Sequence, residues 1–470
     1  MLAIIKKAFR LPVEIWSIES VLSETDFSKR WLKLALFSLI LAGLFSAVIV
    51  LARTPGLTEL INDPLFARKS LVLHVDFALV VWFYSFLAVL FMSLTGTYFN
   101  LRLAIAMKVA MIGVFLMVIS LFFKSAEPIL ANYIPVLDHP LFISGILLFG
   151  IGLIITFTSK SSPDYAKREK PSFYTLNARQ SIRYAGLLVL IAICTFIVSW
   201  IITPEFGNRT TFFEVVIWGG GHILQFSNVL GMITVWLILL YKLTGSDGIS
   251  ESINKVLILT LAVPAALSPL LLIDGTTSQL YYGGFTQLMK WFIFPVVLLY
   301  VAIVFKTIWK ARQTNTISGS LFKNLYFNGL FVSILLAVTG FLIGAMIRSS
   351  NTLIPAHYHA SLGSVTVAYM VMVFIFMKEY GYSLEGFKSA KLVSWQPLLF
   401  GVGQTIFVIG FAYAGMHGMG RKLFGSDQSI HSLEAMIGLG LMSIGGLLAM
   451  AGGLLFIYIV IKSYINSKKE

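Results

Sequence analysis

The sequence predicts an all-α protein, a polytopic membrane bundle of about 12 transmembrane helices built by residues 1–470 as a single domain. Three observations lead there. Of the 470 residues 57% are hydrophobic and only 12% charged, with a mean hydropathy of +0.86. An ordinary soluble domain carries about 25% charged residues, so this chain has too few to cover a water-facing surface. The apolar residues gather in runs of roughly 20, the length needed to cross a bilayer as a helix. The formal charge of +14 comes from Lys and Arg in the short connections between those runs, which marks topology rather than nucleic-acid binding.

The elements follow in order. Residues 1–28 carry Lys6, Lys7 and Arg10 beside Phe9, Leu11, Val13, Ile15 and Trp16, a pattern suited to a short interfacial helix and not to a cleavable signal. Apolar runs then fall near 31–52, 71–95, 103–123, 140–158, 184–203 and 211–241. The second half holds 255–273, 286–307, 325–347, 356–377, 397–416 and 434–462. The longest polar stretch, Ser159 to Arg183, is expected to be a loop. Cys194, the single cysteine, lies in an apolar run; it excludes an internal disulfide and is expected to be a small core residue. No sequence repeat divides the chain.

The basic residues orient the bundle. With the N-terminus cytoplasmic, 24 of the 35 Lys and Arg fall on the inner side, among them Lys160, Lys167, Arg168, Lys170, Arg179 and Arg183. The outer side keeps nine, including Arg68, Lys69, Arg209, Arg348, Arg421 and Lys422. Both termini are therefore expected in the cytoplasm, in a prokaryotic cytoplasmic membrane.

The histidines carry the chemistry. The segment Pro355-Ala356-His357-Tyr358-His359-Ala360 sets two imidazoles two residues apart at the start of span ten. At 100° per residue they point about 200° apart, so one helix can hold a group on each side. Imidazole is the usual axial ligand of haem iron, and histidine inside a membrane span is functional by default. Two haems flanking one helix is one reading; two histidines hydrogen-bonded inside a bundle is the other. His74 on span two and His222 on span six, in Trp218-Gly219-Gly220-Gly221-His222, fall in the same outer layer. His139, His417 and His431 sit in outer loops or at span ends and are read as structural or surface residues.

These residues together resemble the heme-copper oxidase superfamily, whose members include the catalytic subunits of cytochrome c oxidases, quinol oxidases and nitric oxide reductases. The resemblance spans most of the chain, and the His-Tyr-His segment of span ten is its most specific element. It implies that His74 and His359 ligate a low-spin haem, that His357 is the proximal ligand of a high-spin haem, and that His222 faces the open side of that haem as a ligand of a second metal. Gly418-Met419-Gly420-Arg421-Lys422 resembles the basic pair that binds haem propionates, and cations suit those anionic groups. An ordinary basic pair in an outer loop is the alternative. Tyr133-Ile134-Pro135 through Asp138-His139-Pro140 looks like an outer-loop segment of the family without evident chemistry.

The pattern also departs from the family. Span seven there ends in two adjacent histidines, and this chain has no His-His pair; Leu267-Ser268-Pro269-Leu270 stands in that region. Copper sites need about three protein ligands, so copper is expected to be absent. The positions of the family's tyrosine and glutamate are Phe226 and Leu272 or Ile273. Gln225 and Asp274 remain as polar groups nearby, and Asp76, two residues past His74, either orients a neighbour or is solvated at the boundary. No carboxylate chain leads inward, so proton pumping is not expected. The resulting expectation is a two-haem oxidoreductase subunit acting on a small ligand of the O2 or NO class. A haem-only electron-transfer or gas-sensing protein is the alternative, with a transporter third. The electron donor is expected to be a separate cytochrome or quinol, with a further small or haem-bearing subunit as partner and no nucleic acid.

Overall fold

The computed structural model describes residues 24–54, 57, 63–97, 101–161, 170–384, 390–421 and 432–466. Within them 12 helices are long and apolar enough to cross a membrane. A helix satisfies every backbone N–H and C=O inside itself, which hydrocarbon demands. We number them α1 (Phe27–Ala52), α2 (Pro64–Thr95), α3 (Leu101–Ser120), α4 (Pro140–Phe157), α5 (Leu176–Ile202) and α6 (Arg209–Thr244). The second half comprises α7 (Glu251–Leu272), α8 (Gln279–Gln313), α9 (Leu325–Met346), α10 (Leu353–Glu379), α11 (Lys391–Met416) and α12 (Leu433–Asn466). The sequence expectation of a 12-span all-α bundle is met, with α2, α5 and α8 starting seven or eight residues before their apolar runs. The interfacial helix expected over residues 1–28 falls mostly outside the described residues.

Local signals set the ends. Asp63 accepts from the Leu65 amide with Pro64 opening α2, and His139 accepts from Leu141 with Pro140 opening α4. Both are N-caps followed by a proline whose missing N–H costs nothing there. The Ser159–Arg183 loop is shorter than expected, because Thr175 caps a helix that starts at Leu176. Polar residues extend α5 beyond its apolar run: Asn177 is buried and donates to Asp247 and to the Ile249 carbonyl.

Burial separates a centre from a rim. In the most apolar windows of α2, α6 and α10, 83%, 89% and 89% of residues are buried, against 28–56% in the other nine. The three central helices are the three that carry His74, His222, His357 and His359. Cys194 corrects its expectation: it is exposed on α5 and faces away from the protein. An apolar run does not imply a core position in a membrane helix, because lipid accepts the same side chains.

The rim pair α11 and α12 packs backbone to backbone. On α12, Gly438, Gly445 and Gly452 recur every seven residues and abut Ala414, Phe407 and Phe400 of α11, also seven apart. A Cβ at Gly438 or Gly452 would lie 2.6 Å from a backbone nitrogen, and one at Gly445 would meet the Phe407 nitrogen. A seven-residue repeat keeps one seam facing one partner, and small residues let two membrane helices touch. Gly445→Leu is expected to destabilise the bundle by about 3 kcal/mol through overpacking. Gly453→Leu, where nothing lies within 4 Å, should leave the detergent-solubilised melting curve unchanged. Equal melting curves for the two variants would show that the seam does not hold the pair together.

Candidate haem and distal site

The four central histidines form one layer. Trp82 of α2 packs on Tyr369 of α10 with ring centroids 6.3 Å apart, and the Tyr369 hydroxyl fills the space beside Gly231 of α6. From that common level His74 is eight residues along α2, His222 nine along α6, and His359 and His357 ten and twelve along α10. At 1.5 Å per residue all four stand about 12–18 Å toward the same end of the bundle.

Three of them share one hydrogen-bond arrangement. The Nδ1 of His74 lies 2.9 Å from the Ala42 carbonyl, that of His357 2.7 Å from Gly340, and that of His222 2.7 Å from Trp218. A carbonyl only accepts, so Nδ1 carries the proton in each and Nε2 is the bare nitrogen. This is how a protein orients an imidazole to present Nε2 to a metal. At His74 and His357 Nε2 has no protein partner among the described residues. His357 faces α9, where a Cβ at Gly344 would come 2.7 Å from its Nδ1. His359 faces α11 instead, its ring 4.8 Å from Phe407 and 6.3 Å from Phe411, while its carbonyl accepts from Gln404. The two rings of span ten thus lie on different sides of the helix. The residues present fit axial ligation of haem iron.

His222 differs. Its Nε2 is 3.0 Å from the hydroxyl of Tyr133, so with Nδ1 already donating, the phenol donates to Nε2. Both ring nitrogens are engaged within the protein. The ring is boxed by Trp218, Tyr133 and Phe285 at 4.5, 4.8 and 5.6 Å. At the end of α7, Ser268 donates to its own helix at Ala265, and Leu270 is exposed. Among the described residues Gln225 hydrogen-bonds within its own helix, to Gly221 and Asn228, and Asp274 is exposed beyond α7. Among the described residues no three His, Cys, Asp or Glu side chains converge. These residues do not fit a second metal.

Tyr133 arrives from a hairpin, β1 (Glu127–Ile129) and β2 (Val136–Asp138), which joins α3 to α4. The hairpin is tied to α6 by Arg209, which grips Asp138 with two 2.8 Å hydrogen bonds. Tyr133 has φ +68°, a left-handed conformation that costs a non-glycine residue roughly 1–2 kcal/mol. Burial holds its phenol well above the ordinary tyrosine range, so it stays a neutral donor. Next to it, Asn132 accepts from Arg421 at 3.2 Å. The segment before Arg421 in turn pairs with the start of α10, where Thr352 donates to the Met419 carbonyl at 3.0 Å. Arg421, the His357–His359 helix and the Tyr133–His222 pair are therefore brought together. Lys422 lies outside the described residues, as does His431.

Asp76 corrects the solvated alternative: it is completely buried, and neither carboxylate oxygen has a partner among the described residues. It opens a π-helical turn, Asp76–Val81, which turns it inward from the boundary that its position suggested. Tyr133 is the residue that sequence reasoning passed over. Its signal was the run Gly219-Gly220-Gly221, three missing side chains in a row beside a histidine. A cavity of about 360 Å³ lies between α7 and α8, lined mostly by apolar groups such as Leu267, Leu271 and Phe292, with Ser268 at its wall.

Comparison with known proteins defines the class by fold. The chain superposes on a heme-copper terminal oxidase solved as a dimer by cryo-electron microscopy, with a TM-score of 0.67, covering 94% of this chain and 84% of that one at 16% identity. This is an integral membrane protein with the fold of a heme-copper oxidase subunit I. In sequence it is similar to an uncharacterized protein of Aquifex aeolicus (strain VF5), 26% identical over 372 residues, covering 78% of this chain and 89% of that one. An uncharacterized protein of Rickettsia prowazekii (strain Madrid E) is 25% identical over 509 residues, covering 92% and 95%. No family model matches.

Proposed function

We propose that this protein is a two-haem membrane oxidoreductase subunit of the cytochrome c oxidase subunit I type, one domain spanning 1–470. His74 and His359 hold a low-spin haem, His357 holds a high-spin haem, and Arg421 with Lys422 neutralises propionates. The observation that carries the reading is the pair His357 and His359 on different sides of one central helix, inside the fold of a terminal oxidase. Haem iron supplies one-electron redox chemistry and, with one position open, binding of a small diatomic ligand. The protein's part is to fix the His74 and His357 imidazoles by their Nδ1–carbonyl bonds, to pack His359 against Phe407, to exclude water by the burial of α2, α6 and α10, and to place the cationic Arg421 beside the histidine layer.

The histidine end faces outward and both termini lie in the cytoplasm, in a prokaryotic membrane; the similar proteins from two bacteria support that source. Electrons come from a cytochrome or quinol, with a further small or haem-bearing subunit as partner. The engaged Nε2 of His222 favours a second reading, a haem-only electron-transfer or gas-sensing protein. Reduced-minus-oxidised spectra with and without carbon monoxide test the proposal, together with turnover on O2 or NO. Two haem signals with one responsive to carbon monoxide support both readings, and turnover selects the oxidoreductase. Spectra without haem would remove both.

The metal content gives a separate expected outcome. Haem-replete protein should hold essentially no stoichiometric copper, because one imidazole with both nitrogens engaged leaves a divalent ion unligated in a low-dielectric site. About one copper per chain in elemental analysis, lost in His222→Ala, would overturn that.

A further inference from the structure

We propose that Tyr133 is a positioning residue of the distal pocket. Its hydroxyl takes Nε2 of His222, fixes that histidine as the Nδ1–H tautomer, and makes a tyrosine–histidine pair the polar face that a small ligand on the His357 haem meets. The inference rests on the proposed haem at His357 and names what stands opposite it.

The Tyr133 ring sits in a notch that only glycine allows. A Cβ at Gly221 would stand 2.6 Å from Cγ and Cδ2 of Tyr133, and 2.7 Å from its Cβ. Gly219 and Gly220 admit Phe285 and Phe196 on either side. Of the rings that these glycines admit, Tyr133 and Phe285 lie against His222, and Tyr133 brings a hydrogen-bonding group to its Nε2.

The placement is held at independent points. Arg209 clamps Asp138, five residues after Tyr133, and Arg421 holds Asn132, the residue before it. The Tyr133 hydroxyl then lies between two acceptors, His222 Nε2 at 3.0 Å and the Met289 sulfur at 3.8 Å. The nitrogen is much the stronger acceptor, so it accepts the hydrogen bond and the thioether packs against the oxygen. A left-handed backbone at Tyr133 and a glycine at Gly221 inside a helix both oppose chain stability, and both serve this contact. Strain of that kind collects at functional sites.

The pair is at the right level. His222 and His357 stand in one layer, and α6 packs against α10 and α9, the helix that His357 contacts. A hydroxyl turns about its C–O bond, so the group that donates to Nε2 can turn to donate to a ligand oxygen instead. A metal in the same place would offer a Lewis acid; this pair offers a proton donor and a neutral base.

The test uses full-length protein with its haem and reads the infrared band of bound carbon monoxide and its dissociation rate. Tyr133→Phe removes the hydroxyl and keeps the ring. Gly221→Ala removes no polar group from the chain and pushes the Tyr133 ring, with its hydroxyl, from the notch. In both variants the carbon monoxide band should leave its wild-type position for a shared new one. Carbon monoxide should leave about tenfold faster, the equivalent of one hydrogen bond. Haem content should be unchanged. Bands and rates equal to wild type in both variants, with normal haem content, would overturn the assignment of Tyr133 alone. A wild-type protein with haem and no carbon monoxide adduct would instead overturn the open haem at His357, and this assignment with it.

Discussion

His74→Ala and His359→Ala are each expected to abolish the six-coordinate low-spin haem signal while the 12 spans remain inserted. The physical reason is the uneven support of the two rings. His74 is locked by the Ala42 carbonyl, and His359 is packed against Phe407 and Phe411. In the proposed pairing each supplies one axial bond, and a haem held from one side only would be five-coordinate. The rings beside His359, those of Phe407 and Phe411, carry no atom that could replace the imidazole as a ligand. Low-temperature absorption and electron paramagnetic resonance of the purified variants read the effect directly. A full low-spin spectrum in either variant would break the pairing of these two histidines.

His357→Ala is expected to act on the other haem alone. Carbon monoxide should shift about half of the haem absorbance in the wild type, if one of two haems is open. The variant should show no carbon monoxide difference spectrum and keep the low-spin signal. His357 and His359 lie on different sides of α10, so removing one ring leaves the environment of the other, next to Phe407 and Gln404, in place. Added imidazole offers a rescue, since the side chain removed lies beside Gly340 and Gly344 and leaves a slot of its own shape. Loss of both signals from this one substitution would mean that the two haems are not independent occupants of the helix.

Much of the architecture was legible because membrane insertion is a local property. A run of about 20 apolar residues must become a helix wherever it lies, so the spans could be counted without knowing how they pack. The histidine layer was legible for the same reason, since depth in a membrane follows from distance to the end of a span. Burial was not. Lipid and protein core accept the same side chains, which is why Cys194 in an apolar run proved exposed and Asp76 near a span end proved completely buried. The seam of Gly438, Gly445 and Gly452 was visible as spacing, yet its partner helix was not.

The sequence by itself determined the number and position of the spans and placed four histidines at one depth on three of them. Hydropathy and helical geometry act along the chain and need no partner to be read. Only the tertiary structure decided that those three spans are the buried centre, that Arg421 reaches Asn132, and that Tyr133 reaches His222 across 89 residues of sequence. Such contacts are fixed by how the spans pack and by where a hairpin between two of them lands. No spacing within a helix encodes that a left-handed tyrosine will enter a notch of glycines on a helix three spans away.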